Sequence, residues 1–467
     1  MAADALLVPL IVALACALPI GGLARPLAVL SGLIVAGSAA VAVWLGVGGG
    51  VDAYVWAAPI GAQLAIGADG FAAALIMLSG LLFAGGAAAS GGVRSPRAYF
   101  VLWSLLQAAV TGVLVARDLL LFYAAWDALL VPLALLVWGW GGADRRQVTM
   151  RLLATWLTGS ALLLAGIVAL GVGARTFAFA DLTGYRLAES SQVAFALLFL
   201  AGFVVRLPLF PFHAWLPRLS TVAPVPVALV VNGAVTATAV YAISRLCFVF
   251  FPLGMNDLAP LLIALAAAGT LYAALLATRQ RDTRTFIAYV SVSQLNLIAL
   301  GTAVGADTGV LVATVSHGLA VASLFLLATS LARRVGSFTL GPGGLGTRAP
   351  VLASLFGLAL LAAIGVPGTS GAPGDLLILA AVFARSPGVG LFAALGLVAS
   401  AVYAAGFLRA VFFGPGGEGR TDPADVGWRE RGLVVALLVL VVALGITPRV
   451  IGDLADHGAT TSTRTVP

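Results

Sequence analysis

The sequence contains no lysine. All 25 of its basic residues are arginine. A guanidinium, with a pKa above ~12, keeps its proton under any physiological condition. Cations in this chain can hold charge but cannot relay protons. Charge of either sign is scarce, at 9% of residues, and no polar stretch is long enough to form a soluble domain. There are two cysteines, Cys16 and Cys247. Both fall in apolar runs, without the spacing of a disulfide or a metal site, and read as small buried hydrophobes. No cysteine cluster, bis-histidine pair or phosphate-cradling loop after a strand appears. The chain is therefore expected to hold no metal, no redox cofactor and no catalytic residue of its own. GVGGGV at 46–51 is glycine-rich but lies in a loop without a βαβ frame, so it is no nucleotide site.

What the sequence has in abundance is hydrophobicity. It is 61% apolar, with a mean hydropathy of +1.10. Runs of this kind read as transmembrane helices. About fourteen candidates of the ~20 residues a bilayer requires can be placed. The expected fold is an all-α, polytopic membrane protein. The first run, 5–23, has no basic region before it (MAADALL) and reads as a retained helix, not a cleaved signal peptide. The pI near 10 is no nucleic-acid signal, because the arginines follow the connections. Seventeen of them, including Arg25, Arg94, Arg97, Arg145, Arg146, Arg279, Arg333 and Arg420, fall in odd-numbered connections. Seven (Arg117, Arg175, Arg186, Arg245, Arg385, Arg449 and Arg464) fall in even-numbered connections or the termini. By the positive-inside rule the odd connections are cytoplasmic and both termini lie outside.

Few ionisable residues sit within the runs. They are Asp127 in the fifth, Arg206 in the seventh, His317 in the eleventh and Asp375 in the twelfth. Charge at membrane depth costs a few kcal/mol or more, so each is a functional candidate. A structural ion pair accounts equally for Asp127 and Arg206, and a hydrogen-bonded packing histidine for His317. A lone buried charge is disfavoured, so Asp127 and Arg206 are expected within ion-pair reach. Two runs are also broken. RLPLFPFHAWLP, with Pro208 and Pro211, interrupts the seventh; GVPGTSGAPG, with Pro367 and Gly368, interrupts the twelfth. Such breaks free backbone carbonyls that protein or a water-filled cavity must satisfy. They lie five runs apart, an odd offset that reverses direction across the membrane. That is the pattern of two inverted units, one offering Arg206 with Asp127, the other Asp375 with His317.

FYAAWDALLVPLALLVWGW, RLPLFPFHAWLP, RDTRTFIAYVSVSQL, SHGLAVASLFLL and GVPGTSGAPGDLLIL occur in this order. Together they resemble the antiporter-like subunits of respiratory complex I, above all the M-type subunit of bacterial NADH:quinone oxidoreductase. The likeness extends more loosely to Mrp-type cation/proton antiporters. It covers roughly residues 98 to 414. It implies fourteen helices, two inverted five-helix repeats and a midplane chain of charged residues that moves protons when quinone is reduced. The corresponding division is 1–97, an N-terminal three-helix segment; 98–248 and 249–414, the two repeats; and 415–467, a cytoplasmic loop, last helix and tail.

Carried over by position, Asp127 stands where the family has Glu, and Arg206 where it has Lys. Ala237 falls at the family's central Lys. Thr236, Thr238 and Asn232 are the polar residues nearby that could hold water there. His317 matches a retained His, and Asp375 replaces Glu. After the first break the chain reads WLPRLSTVAP, without the family's usual acids. The resemblance implies a membrane-arm subunit with altered channel residues, multi-pass in a bacterial inner membrane. Its partners would be other membrane subunits and the lipid bilayer, with NADH and quinone acting on other chains. An Mrp-type antiporter subunit, or a non-pumping structural paralogue, is the alternative.

Overall fold

In lipid every backbone N–H and C=O must be satisfied within the segment, which leaves helices or closed barrels. This chain uses helices. The structure is a computed structural model that describes every residue except 20, 47–49, 58–60, 341–342, 414–424 and 457–467. Half of the GVGGGV loop, Arg420, Arg464 and much of the 415–467 segment therefore lie outside the described residues.

In chain order the helices are α1 (Ala2–Ala17), α2 (Ala24–Trp44), α3 (Gly70–Ala89), α4 (Pro96–Val115), α5 (Leu119–Trp140), α6 (Arg145–Ala174) and α7 (Glu189–Arg206). Then follow α8 (Val225–Phe250), α9 (Pro252–Ala277), α10 (Thr283–Val304), α11 (Asp307–Val335), α12 (Pro350–Ala363) and α13 (Gly371–Arg385). The last are α14 (Pro387–Phe413), α15 (Glu430–Ile446) and α16 (Arg449–Ala455). Among the described residues 11 helices are long and apolar enough to cross a membrane, or 12 if the pair α15–α16, bent by 74°, is one span. The count of fourteen read from sequence also includes α1, with 16 residues, and the broken pair α12–α13, with 14 and 15. Each is shorter than the ~20 residues of a full crossing.

One element departs from the all-α expectation. Val51–Ala57 (β1) and Ala62–Gly67 (β2) pair antiparallel, Val51 opposite Gly67 and Tyr54 opposite Leu64, with an irregularity between Val55 and Ala57. The 1–97 segment is thus three helices and a hairpin. The stretch is too short to span and alternates weakly, so its strand pattern is hidden beside long apolar runs. The hairpin is tied to the helices by Asp118, which caps α5 through the Leu120 and Leu121 amides and also accepts from the Gln63 amide at 3.0 Å.

The chain forms two compact units. Unit 1 comprises Met1–Leu207, Ala234–Leu261 and the described residues from Asp453; unit 2 comprises Pro208–Gly233 and Leu262–Gly452. In unit 1, α2 and α3 cross on glycine. A Cβ at Gly32 would come within 2.6 Å of the Gly80 carbonyl, and a Cβ at Gly80 within 2.6 Å of the Gly32 carbonyl. Close backbone approach on small residues is a packing mode available to helices in lipid, where lipid tails remove the hydrophobic drive. In unit 2, α11 is buried along nearly its whole length, among α10, α12, α13 and α15.

Candidate functional site

In unit 1 the site is built at a weak point of α5. Pro132 has no N–H, so the carbonyl of Ala128 loses its helical donor and α5 loosens at Leu129, two residues beyond Asp127. Arg206 is the last residue of α7 and is only 1% exposed. Its Nη2 lies 3.6 Å from Asp127 Oδ1, and Asp127 is 29% exposed. The two charges that are costly to bury singly therefore share one place. Nη1 donates to the Trp126 carbonyl at 2.7 Å. The guanidinium lies over two indole rings, 3.9 Å from the centre of Trp126 and 4.7 Å from that of Trp156. Aromatic faces attract a cation, more so away from water. The Ser160 hydroxyl donates to the same Asp127 Oδ1. Arg206 is a clamped charge, held between Asp127 and two indole faces.

In unit 2 the site is organised by polar residues of α10. The Ser291 hydroxyl lies 3.0 Å from His317 Nε2, which also lies 3.2 Å from the Asn232 carbonyl. Three residues on, one helical turn away, the Gln294 amide donates to Asp375 Oδ1 at 2.6 Å. Asn296 holds the first break: its Nδ2 donates to the Pro208 carbonyl at 3.2 Å and its Oδ1 accepts from the Phe210 amide at 3.1 Å. The break that Pro208 and Pro211 impose is thus satisfied by protein, as membrane depth demands. Ser293 donates to the Thr270 carbonyl at 2.9 Å.

The second break, at Pro367 and Gly368, separates α12 from α13. The Ser370 amide donates to the Val441 carbonyl of α15 at 3.0 Å, and the Ser370 and Ser316 hydroxyls lie 2.7 Å apart. Gly365 is required twice here. Its φ of +69° favours glycine, and a Cβ would stand 2.2 Å from Asp375 Oδ2. His317 and Asp375 are both fully buried, but among the described residues no hydrogen bond or ion pair joins them. Each takes a neutral partner from α10. Among the described residues His317 Nδ1 and Asp375 Oδ2 make no hydrogen bond.

Asn232 lies in unit 2 and donates to Ser220 Oγ and the Ala228 carbonyl. Thr236 and Thr238 are buried in unit 1, and Thr238 donates to the Val235 carbonyl. Two π-helical turns, Val231–Val235 and Ile243–Cys247, flank this stretch of α8; such turns are frequent at functional sites.

Sequence reasoning passed over Ser160, Ser291, Gln294 and Asn296. Hydroxyl and amide residues in apolar runs carry little signal alone, though YVSVSQLN does place several on one helix. It also passed over a cluster in unit 1. Asp69 caps α3 through the Ala72 amide and pairs with Arg245 at 3.3 Å and Arg117 at 3.9 Å, while Arg117 donates to the Tyr241 hydroxyl. Its members come from three separate connections or span ends, so spacing gives no hint of it.

A buried guanidinium paired with an acid beside one broken helix, and a buried histidine and acid beside another, define a membrane protein of the antiporter-like class. Residues 116–401 match the family described as NADH:quinone oxidoreductase/Mrp antiporter, transmembrane, and the chain belongs to that family. Within it, the chain is similar to NADH-quinone oxidoreductase subunit M of Mycobacterium tuberculosis, 29% identical over 396 residues that cover 81% of this chain and 72% of the relative. Subunit M of Pseudomonas aeruginosa is 31% identical over 373 residues, covering 76% and 72%. Among solved structures, a chain of respiratory complex I from Thermus thermophilus with bound NADH matches with a TM-score of 0.90 and 29% identity, over 98% of both chains. A chain of the Mrp complex from Dietzia sp. DQ12-45-1b shares the fold, with a TM-score of 0.86 at 21% identity.

Proposed function

We propose that this chain is an M-type membrane-arm subunit of a complex-I-like NADH:quinone oxidoreductase and conducts protons coupled to quinone reduction. The observation that carries the reading is the placement of buried ionisable groups beside both helix breaks. Asp127 with Arg206 forms one station; His317 and Asp375, each held by α10, form another. In this reading the chain holds no redox centre. NADH and quinone react on other subunits, and this subunit's work is to change protonation at fixed points. Arg206 cannot release its proton and sets the field at Asp127. Water held near Asn232, Thr236 and Thr238 takes the place of the family's central amine at Ala237. Affinity purification of the chain from its host membrane tests the assignment. Co-purification of NADH-oxidising and iron–sulfur subunits is the expected result. Recovery with small antiporter subunits alone would favour the Mrp-type reading and overturn this one.

The proposed topology, in a bacterial inner membrane, has odd connections inside and both termini outside. Single cysteines in the 143–149 connection are expected to react with an impermeant thiol reagent only from the cytoplasmic side, and those in 176–190 only from outside. Reversed labelling would remove the topology and the inverted-repeat argument together.

A further inference from the structure

The first half of unit 1 carries a groove that the proton path does not use. It is a cavity of about 430 Å³ lined by Arg25, Pro26, Val29, Leu30 and Leu33 of α2 and by Ala88 near the end of α3. Apart from Arg25 its walls are apolar. Pro26, Val29, Leu30 and Leu33 follow the spacing of one helix face, and Leu30 and Leu33 are each 50% exposed. From Pro26 to Leu33 the wall runs about 10 Å along the helix axis at 1.5 Å per residue. Arg25 stands at one end, in the first turn of α2, into which the 3-10 turn Gly21–Leu23 leads directly. The residue before α2 supplies no side-chain cap. The guanidinium donates to the Ala88 carbonyl, and Gly91, having no side chain, leaves room beside it. Among the described residues Arg25 has no carboxylate partner.

The surrounding charge has one sign. No Asp or Glu occurs between residues 5 and 51 or between 70 and 116, while Arg25, Arg94 and Arg97 fall in the two connections on this side. An apolar trough ending in a cation without a carboxylate partner has the polarity of one kind of membrane molecule. We propose that this groove binds a single anionic glycerophospholipid, its phosphate at Arg25 and one acyl chain along Pro26–Leu33. The proposal rests on the membrane reading of the fold and not on proton conduction, so it stands or falls apart from that activity.

The test uses the assembled complex in phosphatidylcholine vesicles, with a trace of phosphatidylglycerol carrying a photoactivatable diazirine in one acyl chain. After irradiation, label is expected on the peptide spanning residues 25–33, roughly fivefold above that from the matching phosphatidylcholine probe, the effect of about 1 kcal/mol for one arginine at the membrane surface. Arg25→Gln is expected to abolish the preference and Arg25→Lys to keep it. Leu30→Trp, which fills the trough and leaves the cation, should reduce labelling by both probes. Millimolar inorganic phosphate should change nothing. Equal labelling by the two probes would overturn the proposal. So would loss of label on adding phosphate, which would assign Arg25 to a free anion. Label in the isolated chain but not in the complex would assign the groove to a neighbouring subunit and overturn it as well.

Discussion

Asp127→Asn is expected to destabilise the subunit by about 3 kcal/mol, the lower end of the range for breaking a buried ion pair, because the carboxylate is partly exposed. The substitution leaves Arg206 charged and almost wholly buried, with only the Trp126 carbonyl and two indole faces for company. No proton loss relieves it, since a guanidinium does not titrate. The double variant Asp127→Leu with Arg206→Met removes both charges at similar volume and is expected to recover most of the loss. Thermal unfolding of the purified complex in detergent, with yield of assembled complex as a second readout, checks both. A single variant as stable as the parent, or a double variant worse than the single one, would refute an energetically coupled pair.

His317→Ala or Asp375→Asn is expected to bring proton uptake down to the leak of empty vesicles while quinone reduction partly survives. Both are buried titratable groups of unit 2, each with one atom that makes no hydrogen bond among the described residues. Arg206→Lys is expected to leave uptake intact. A lysine there can lose its proton in principle, yet the two indoles favour its charged form. The measurement is NADH-driven acidification inside vesicles carrying the assembled complex, with quinone reduction followed in the same sample. Normal uptake in both the His317 and the Asp375 variants would make this chain a structural, non-conducting member of its family.

The broken helices were legible because proline and glycine announce themselves by backbone chemistry alone. Helix α7 stops at Arg206, two residues before Pro208, and α12 and α13 part around Pro367 and Gly368. The meeting of Asp127 with Arg206 was legible for another reason: burying either alone is so costly that a partner is nearly compulsory. No such charged partner was required of His317 and Asp375. A neutral imidazole and a carboxyl can each be served by a neutral hydrogen-bonding group, and α10 supplies one to each through Ser291 and Gln294. A serine or glutamine in an apolar run is too common to point anywhere. The Asp69, Arg117 and Arg245 cluster was hidden for the opposite reason. Its charges sit at helix ends, where the positive-inside count treats them as independent markers of side, though the fold makes them one network.

Helix α10 holds His317 through Ser291, Asp375 through Gln294, and the first break through Asn296. All three contacts run from one rigid rod to three different bodies. Sliding that rod by a single residue's rise, about 1.5 Å, would lengthen all of them together. Mechanically α10 is a tie-rod: a push at either end reaches a histidine, an acid and a helix break in one stroke, with no charge having to travel between them.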